Sequence, residues 1–461
     1  MTDESLKLTN TSSAQNGMNA QRMRMGMREE QQILKTSQED ESLTTGLMER
    51  ICDRANLNQA YKRVKANKGA PGIDGRSVDK LSEFIAKHKE QLVQSLLTGS
   101  YQPQPVREVE IPKADGGVRQ LGIPTVVDRL IQQAILQVLQ PIYDPEFSES
   151  SFGFRPKRSA HQAVKRAQEY VREGNRIVVD IDLEKYFDRI NHDVLMALIA
   201  KRIKDKRLLR IIRGFLNAGI MREGICLERL AGAPQGGPLS PLLANILLDV
   251  LDKELERRGH KFCRYADDCN VYVRSHRAGE RVMESLKQFL GKRLKLKVNE
   301  GKSGVAEISE REFLGFQLLR DGRIDISTKS KQRVKVVIKT LTKRNRGVSL
   351  KRVITELNDR LRGWINYFKL TERPSTLEDL DGWIRRKLRC YRLKQRKRSY
   401  PIAKFLIELG VQAQSAWKIA KSGKGWWRLS KTLATQQAMS NKWFKEQGLI
   451  NFVQQAGLLK I

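Results

Sequence analysis

Two apolar segments of this chain carry aspartates at positions that a folded protein would bury. Residues 177–183, Ile-Val-Val-Asp-Ile-Asp-Leu, have the composition of a buried β-strand, and alternation along a strand places Asp180 and Asp182 on one face. Residues 262–273 are apolar on both sides of Tyr-Ala-Asp-Asp, which predicts a strand, a turn at residues 265–268 and a second strand. Buried carboxylates destabilise a fold unless they are paired or bound to metal. The sequence therefore predicts a sheet that gathers these carboxylates around positive charge.

The adjacent aspartates Asp267 and Asp268 repel each other and need a positive charge nearby. In the neighbouring sequence only Arg264 could neutralise the pair. Mg²⁺ is a hard cation that prefers carboxylate oxygens, so strand and turn carboxylates together could hold two ions. Two such ions serve in-line phosphoryl displacement, one activating a primer 3′-hydroxyl and the other holding a triphosphate. The plain alternative is an Asp-Asp pair in an ordinary solvated turn.

The charge of the chain indicates a polyanionic partner. Lys and Arg total 86 against 52 Asp and Glu, and the formal net charge is +34. Residues 331–461 hold 31 basic and 8 acidic residues, whereas residues 1–50 are slightly acidic. Basic groups release the counterions condensed on nucleic-acid phosphates, so nucleic acid is the first candidate and the C-terminal third its main contact. A ribosomal protein or a merely basic surface is the alternative that composition leaves open.

Hydrophobic periodicity divides the chain into regions. Residues 1–45 lack a sustained apolar period and are predicted to form a disordered leader. Alternation in residues 104–124 around Asp115-Gly-Gly117 predicts a β-hairpin, and residues 126–139 predict an amphipathic helix. A further hairpin is predicted near residues 313–326, and the pattern beyond it is helical and basic.

Cysteine and hydropathy patterns exclude other classes of protein. The five cysteines are odd in number and lack Cys-x-x-Cys spacing, which argues against a disulfide framework or a zinc knuckle. No run of eighteen apolar residues predicts a membrane span. The N-terminus, Met-Thr-Asp-Glu, has no signal-peptide pattern, so we expect a cytoplasmic protein without a membrane partner.

The motifs follow one another in the order typical of reverse transcriptases, and the chain resembles that family from about residue 46 to 440. The matching segments are Ile111-Pro-Lys-Ala-Asp-Gly-Gly-Val-Arg119, Ser151-Phe-Gly-Phe-Arg-Pro156, Asp182 with Phe187 five residues later, Ala233-Pro-Gln-Gly-Gly-Pro-Leu-Ser-Pro241, Tyr265-Ala-Asp-Asp268, Asn299-Glu-Gly-Lys-Ser303 and Phe313-Leu-Gly-Phe316. Beyond them, Leu361-Arg-Gly-Trp-Ile-Asn-Tyr-Phe368 resembles the maturase segment of bacterial group II intron-encoded proteins. An ordered set of motifs is far more specific than any one of them.

The resemblance implies catalytic roles for matching residues. Asp182, Asp267 and Asp268 match the family's metal ligands, with the backbone carbonyl of Leu183 as a further ligand. Two Mg²⁺ ions, replaceable by Mn²⁺, are the implied cofactors. Lys302 matches a lysine thought to protonate the leaving pyrophosphate, and an ordinary solvated lysine is the alternative.

The resemblance also implies a nucleotide-binding set, which comprises Lys113, Arg119, Leu183, Phe187 and Gln235. A Lys and an Arg on one hairpin suit a triphosphate. Gln235 lies in a loop whose next two residues, both glycines, permit close backbone approach. We expect the ring of Phe187 to exclude a ribose 2′-hydroxyl by overlap. The alternative is that Tyr186 or Phe187 anchors a helix start in the core.

The implied fold class is α+β. It is a right-hand polymerase, with fingers and palm at residues 46–330, an α-helical thumb or maturase (X) domain at 331–400, and a basic DNA-binding region at 401–461. Expected partners are structured intron RNA, an RNA template with a DNA primer, target DNA and deoxynucleoside triphosphates, so the protein would associate with the bacterial nucleoid when engaged with DNA. Nucleic-acid contacts are expected from Arg155, Arg385, Arg386, Arg389, Arg392, Lys394, Arg396, Trp426, Trp427 and Arg428. Trp364 and Trp383 are expected in the core.

One departure from the family pattern and several alternatives remain. Many relatives carry a His-Asn-His endonuclease, but all five histidines here precede residue 280 and no cysteine follows Cys390. We therefore expect the nicked target strand and the primer to come from elsewhere. The alternatives are a splicing factor without polymerase activity, a reverse transcriptase of retron, diversity-generating or phage-defence type, and an RNA-dependent RNA polymerase. The intact carboxylates argue against a splicing factor without polymerase activity. The maturase-like segment argues against the other types of reverse transcriptase, and Phe187 argues against an RNA-dependent RNA polymerase.

Overall fold

The computed structural model describes residues 44–112, 117–222, 225–227, 231–234 and 236–458. The leader expected at residues 1–45 lies almost entirely outside this part of the chain. Helices and strands are mixed through the N-terminal two thirds, and only helices follow Ile326. The α+β class is confirmed.

The first region joins three helices to a small sheet. The helices are α1 (Leu47–Cys52), α2 (Arg54–Ala66) and α3 (Leu81–Leu97). The predicted hairpin is present as β1 (Val106–Pro112) and β2 (Val118–Ile123), which pair antiparallel. Two short strands extend this sheet to the order β2-β1-β4-β5, with β4 (Ile220–Arg222) parallel to β1 and β5 (Ile225–Leu227) antiparallel to β4. The sequence pattern does not predict β4 and β5.

A second sheet forms the centre of the molecule, with strand order β6-β7-β3-β8. Its strands are β3 (Ile177–Ile181), β6 (Lys261–Tyr265), β7 (Asp268–Val273) and β8 (Gly304–Glu307). Helices of this region are α4 (Val126–Tyr143), α5 (Ala160–Arg172), α6 (His192–Arg202), α7 (Lys206–Asn217), α8 (Ser240–Arg257) and α9 (His276–Phe289). All the neighbouring strands in the sheet are antiparallel.

The two faces of the central sheet enter different hydrophobic cores. Val179 and Ile181 of β3 pack in the first core with helices α4, α8 and α9. Val178 of β3 and Tyr272 of β7 pack in the second core, which continues into the C-terminal helices. Because side chains alternate along a strand, Asp180 lies on the second face, with Val178. Burial on both faces accounts for the nearly continuous apolar sequence of these strands.

A short hairpin of β9 (Phe316–Leu318) and β10 (Ile324–Ile326) precedes the C-terminal helices, as predicted. The longer helices that follow are α10 (Thr328–Leu341), α11 (Leu350–Phe368) and α12 (Pro374–Arg396). The shorter ones are α13 (Ser399–Glu408), α14 (Ala413–Ala420), α15 (Trp426–Leu429), α16 (Leu433–Ala438), α17 (Asn441–Glu446) and α18 (Phe452–Gln455). Trp364 and Trp383 pack, partly buried, against the second core, as expected. In the described part of the chain, no helix combines the length and apolarity needed to cross a membrane.

Candidate active site

The turn between β6 and β7 presents the adjacent aspartates. Tyr265 pairs with Asp268, so Ala266 and Asp267 form the connection between the strands, as predicted. Ala266 adopts the left-handed conformation with φ of 59°, which is uncommon for a residue other than glycine. Gly153 packs against this turn so closely that a Cβ atom there would lie 2.2 Å from the Ala266 nitrogen. The segment Ser151–Pro156 therefore supports the turn from outside the hairpin.

Strand β3 brings the other carboxylates to the same end of the sheet. Asp180 lies opposite Asn270 of β7, and Asp182 follows the last residue of the strand. Burial and then repulsion from Asp180 and Asp267 raise the pKa of Asp268 to about 8. Burial also raises the pKa of Asp180 to about 6, against the opposing effect of the Arg311 guanidinium. Asp180, Asp182, Asp267 and Asp268 thus lie at one end of the sheet, where their negative charges repel one another.

A turn from a distant part of the sequence holds Asp182. The Asn299 side-chain nitrogen donates to Asp182 Oδ2 at 3.0 Å, and the Asn299 backbone N–H donates to the Asp182 carbonyl at 2.8 Å. The Ser303 hydroxyl accepts from the Asp182 N–H at 2.9 Å. Residues 299–303 are recognisable in the sequence as a family motif, but their contact with Asp182 is not. In the sequence, Asn299 and Ser303 appear only as polar residues on either side of Lys302. Nothing in the sequence connects them to β3.

Lys302 lies in this same turn, which the hydrogen bonds of Asn299 and Ser303 join to Asp182. Arg311 donates from Nη1 to the Lys302 carbonyl at 3.0 Å and to Asp180 Oδ2 at 3.4 Å. The strand aspartate that matches no family ligand thus helps, through Arg311, to hold the Lys302 turn. The sequence pattern assigns Asp180 no such role.

Arg264, the one neighbouring residue in the sequence that could neutralise the aspartate pair, does not do so. Arg264 is fully buried, and its guanidinium forms a two-pronged ion pair with the equally buried Asp252 of α8, at 2.7 and 2.5 Å. The only positive charge that the adjacent sequence offers is therefore paired with Asp252. The positive charge needed by Asp267 and Asp268 must come from elsewhere.

Divalent cations fit the chemistry of this donor set. The oxygens of Asp182, Asp267 and Asp268 are hard ligands. Burial and then mutual repulsion raise the pKa of Asp268, and a bound cation would favour its ionised form. Among the described residues, no group of three or more His, Cys, Asp or Glu side chains lies close enough together to hold a metal ion. Mg²⁺ is commonly held by one or two carboxylates together with substrate phosphates and water, so a site with fewer than three converging side chains still suits it.

A cavity of about 460 Å³ lies between the first region, helix α4 and the segment at residues 236–241 that leads into α8. It is lined by Arg129, Phe154 and Phe187 together with Gly236 and Gly237, among others. Phe187 is 8% exposed, in a short 3₁₀ turn that spans Tyr186–Asp188. Tyr186 is the residue anchored in the core, because its hydroxyl donates to the carbonyl of Ala244 at 2.9 Å. Phe187 thus has one edge in the core and one on the cavity.

The other expected nucleotide contacts are only partly described. Leu183 is buried and forms an isolated bridge with Val298. Arg119 lies in β2, opposite Ile111 of β1. Lys113 and Gln235 lie outside the described residues. A larger groove of about 640 Å³ lies between α10 and α11, but none of the candidate carboxylates lines it.

Two arginines expected to bind nucleic acid are instead structural. Arg155 is 7% exposed, pairs with Asp144 at 2.9 Å and donates to the carbonyl of Ser148 at 2.6 Å. Arg389, also 7% exposed, donates to the carbonyl of Met439. Both side chains are committed to the protein, and their position makes direct phosphate contact unfavourable.

The remaining C-terminal residues lie nearer the surface. The Arg386 guanidinium lies over the Trp427 ring at 3.8 Å, and Trp427 is 38% exposed. Arg392 and Arg396 lie over Phe405, at 5.0 and 4.6 Å from its ring centre. Exposed side chains are those of Lys394, Trp427 and Arg428, and partly exposed ones are those of Arg385, Arg386, Arg392, Arg396 and Trp426. This part of the molecule combines cationic groups with an accessible indole.

Comparison with known proteins finds a family match for each of two segments of the chain. Residues 111–318 match the family described as "Reverse transcriptase (RNA-dependent DNA polymerase)", and residues 331–405 match "Group II intron, maturase-specific domain". Protein YkfC of Escherichia coli is 33% identical, over 57% of this chain and 80% of that protein. Group II intron-encoded protein LtrA of Lactococcus lactis is also 33% identical, over 66% of this chain and 62% of LtrA. The chain therefore belongs to the family of group II intron-encoded reverse transcriptases, RNA-directed DNA polymerases that carry a maturase-specific domain.

Proposed function

We propose that this chain copies RNA into DNA with two Mg²⁺ ions held by Asp182, Asp267 and Asp268. Family membership implies a divalent metal and nucleic-acid substrates. The observation that carries the proposal is that Asp182, after β3, and the β6–β7 turn lie at the same end of the sheet. There, burial and then repulsion between carboxylates raise the pKa of Asp268 to about 8. When bound, the ions would stabilise the charge that develops on the attacking and leaving oxygens. Mn²⁺ has similar ligand preferences and is the expected substitute.

The protein's own groups would orient the reactants around this centre. Asn299 and Ser303 fix Asp182 so that its carboxylate keeps one orientation. Lys302, on the turn between them, would donate a proton to the leaving pyrophosphate. Phe187 would face the sugar of the incoming deoxynucleotide from the wall of the 460 Å³ cavity. Lys113, Arg119, Gln235 and the Leu183 carbonyl complete the proposed nucleotide contacts.

The second proposed role is binding of structured intron RNA to assist splicing and mobility. It is supported by the maturase-specific match at residues 331–405 and by the net charge of +23 in residues 331–461. We assign fingers and palm to residues 46–330, the thumb or maturase domain to residues 331–400, and a DNA-binding region to residues 401–461. Arg386 and Trp427 form the best-placed aromatic and cationic surface for a nucleic-acid base and phosphate.

Primer extension on an RNA template tests the polymerase proposal. Asp267→Asn should lower the rate by at least about 100-fold, because a charge-stabilising ligand is removed. The matched control is Asp79→Asn, which removes an exposed aspartate outside the site and should leave the rate unchanged. Near-normal extension by Asp267→Asn in the presence of Mg²⁺ would refute the assignment.

A further inference from the structure

The guanidinium of Arg264 is fully committed to five hydrogen bonds in the interior. Besides the two to Asp252, Nη1 donates to Asn245 Oδ1 at 3.0 Å and to the Ala266 carbonyl at 2.9 Å, and Nη2 donates to Ser151 Oγ at 2.8 Å. A guanidinium has five N–H donors, so none is left over. Every acceptor is a side chain or carbonyl of the protein, and Arg264 is 0% exposed.

These bonds meet at the turn that carries Asp267. The Ala266 carbonyl, which Arg264 holds, belongs to the peptide unit that links Ala266 to Asp267. Asn245 accepts from Arg264 and also donates to the Gly153 carbonyl at 2.9 Å. Gly153 in turn lies against the Ala266 nitrogen. The turn is therefore fixed on its inner side by one guanidinium and on its outer side by a loop that the same guanidinium reaches.

Stability alone is a poor account of this arrangement. Two fully buried charges lose their hydration, and a buried ion pair is often no better for folding than well-packed apolar side chains. What an apolar pair cannot do is bond in fixed directions to four residues of three separate segments, namely α8, the loop at Ser151 and the turn at Ala266. A fixed geometry is useful where Ala266 holds a left-handed backbone next to a candidate metal ligand.

We propose that Arg264 is a positioning residue for nucleotidyl transfer. Through the Ala266 carbonyl it sets the direction in which Asp267 and Asp268 leave the hairpin, and Asp252, Asn245 and Ser151 set the direction of its guanidinium. It does not touch substrate or neutralise the aspartates. The proposal rests on the proposed polymerase function, because positioning has meaning only if the turn serves that reaction.

The test compares Arg264→Lys with wild type in single-turnover primer extension at saturating nucleotide. Lysine keeps the charge next to Asp252 but cannot bond to Ala266, Asn245 and Ser151 at once. We expect a rate about 10- to 100-fold lower, because small displacements of catalytic groups have effects of that size. The Mg²⁺ concentration for half-maximal rate should rise, while the dissociation constant for the primer–template duplex should stay within about twofold, since the residues that we expect to bind the duplex lie elsewhere.

Two further variants test the same proposal in case Arg264→Lys does not fold. Ser151→Ala and Asn245→Ser each remove or displace one partner of the guanidinium, and each should lower the rate several-fold with the same rise in Mg²⁺ requirement. The stability control is Leu96→Ala in α3, a buried residue remote from the turn, studied at the same interval below its melting temperature.

The outcomes separate the two hypotheses. Wild-type rate and Mg²⁺ requirement in Ser151→Ala and Asn245→Ser, or in a folded Arg264→Lys, would overturn the positioning role. An equal rate loss in Leu96→Ala would do so too, because it would reduce the effect to general destabilisation. If wild type itself fails to extend a primer, the proposed function fails, and the positioning role falls with it; an active wild type with unaffected variants refutes the positioning role alone.

Discussion

Asn299 donates a hydrogen bond of 3.0 Å to Asp182 Oδ2, although the two residues are 117 positions apart in the chain. The bond joins the turn that carries Lys302 to the end of β3. A proposed metal ligand and a proposed proton donor therefore move together. A change at Asn299 should affect both, although Asn299 contacts neither the metals nor the pyrophosphate in our proposal.

Asn299→Ala should lower the rate of primer extension by about 10- to 100-fold, the kinetic equivalent of removing a hydrogen bond to a charged group. Asn299→Asp has the same shape but brings a second negative charge against Asp182, so its rate should fall further. Single-turnover rates for the two variants provide the measurement. If Asn299→Asp proved as active as wild type, Asp182 would not be oriented by this hydrogen bond.

RNA binding should depend on the exposed cations at the C-terminal end of α12. Changing Lys394, Lys397 and Arg398 to Gln should weaken RNA binding and flatten its salt dependence by about 0.7 in log–log slope for each single-strand phosphate that is no longer neutralised. The control changes exposed Lys62, Lys87 and Lys89 of α2 and α3 to Gln, which removes equal charge from the first region. Equal effects of the two triple variants would show that net charge, rather than the C-terminal region, sets affinity.

The strands of the site could be predicted from sequence because they are apolar on both faces and interrupted by acids. Sequence patterns also predict three other features that the structure shows. These are the turn at Ala266 and Asp267, the hairpin at residues 106–123 and the helical C-terminal third. The short strand β8 could not, because Gly304–Glu307 has little pattern of its own and is fixed by pairing with β3.

Side-chain partners were the part that sequence could not supply. Asp252 lies in helix α8, and Arg264 lies in β6, the next strand along the chain. No local sequence pattern links an acidic residue of a helix with a basic residue of the strand that follows it. Arg155 failed as a predicted nucleic-acid contact for a related reason, because its acceptors are backbone carbonyls, which sequence does not reveal. Polar networks in the interior depend on the assembled fold, and only the assembled fold identifies them.

Stability of the C-terminal region should depend on Asp381. This residue of α12 is 3% exposed and accepts from the Phe452 N–H at 2.9 Å, and burial raises its pKa to about 6. The folded state therefore keeps a proton that the unfolded state loses near pH 4, so this group's contribution to stability falls between about pH 4 and pH 6 and stays low above that.

Asp381→Asn removes this titration and retains an oxygen that can accept from Phe452. The variant should match wild type near pH 4 and exceed it at pH 7, by up to about 3 kcal/mol for a shift of two pKa units. Melting temperatures at both pH values give the comparison. A constant difference across this range would mean that Asp381 is ionised in the folded protein at pH 4.

Phe187→Val should relax the sugar preference. Phe187 lies on the wall of the 460 Å³ cavity, and a smaller side chain would leave room for a 2′-hydroxyl at the place where we expect the nucleotide sugar. The measurement is the ratio of kcat/KM for a deoxynucleotide and its ribonucleotide, with Tyr186→Phe as the control because the hydrogen bond that it removes lies in the core. If Phe187 is only a core residue, the variant should lose roughly 1–4 kcal/mol of stability with the ratio unchanged, because the substitution would then leave a cavity and nothing else.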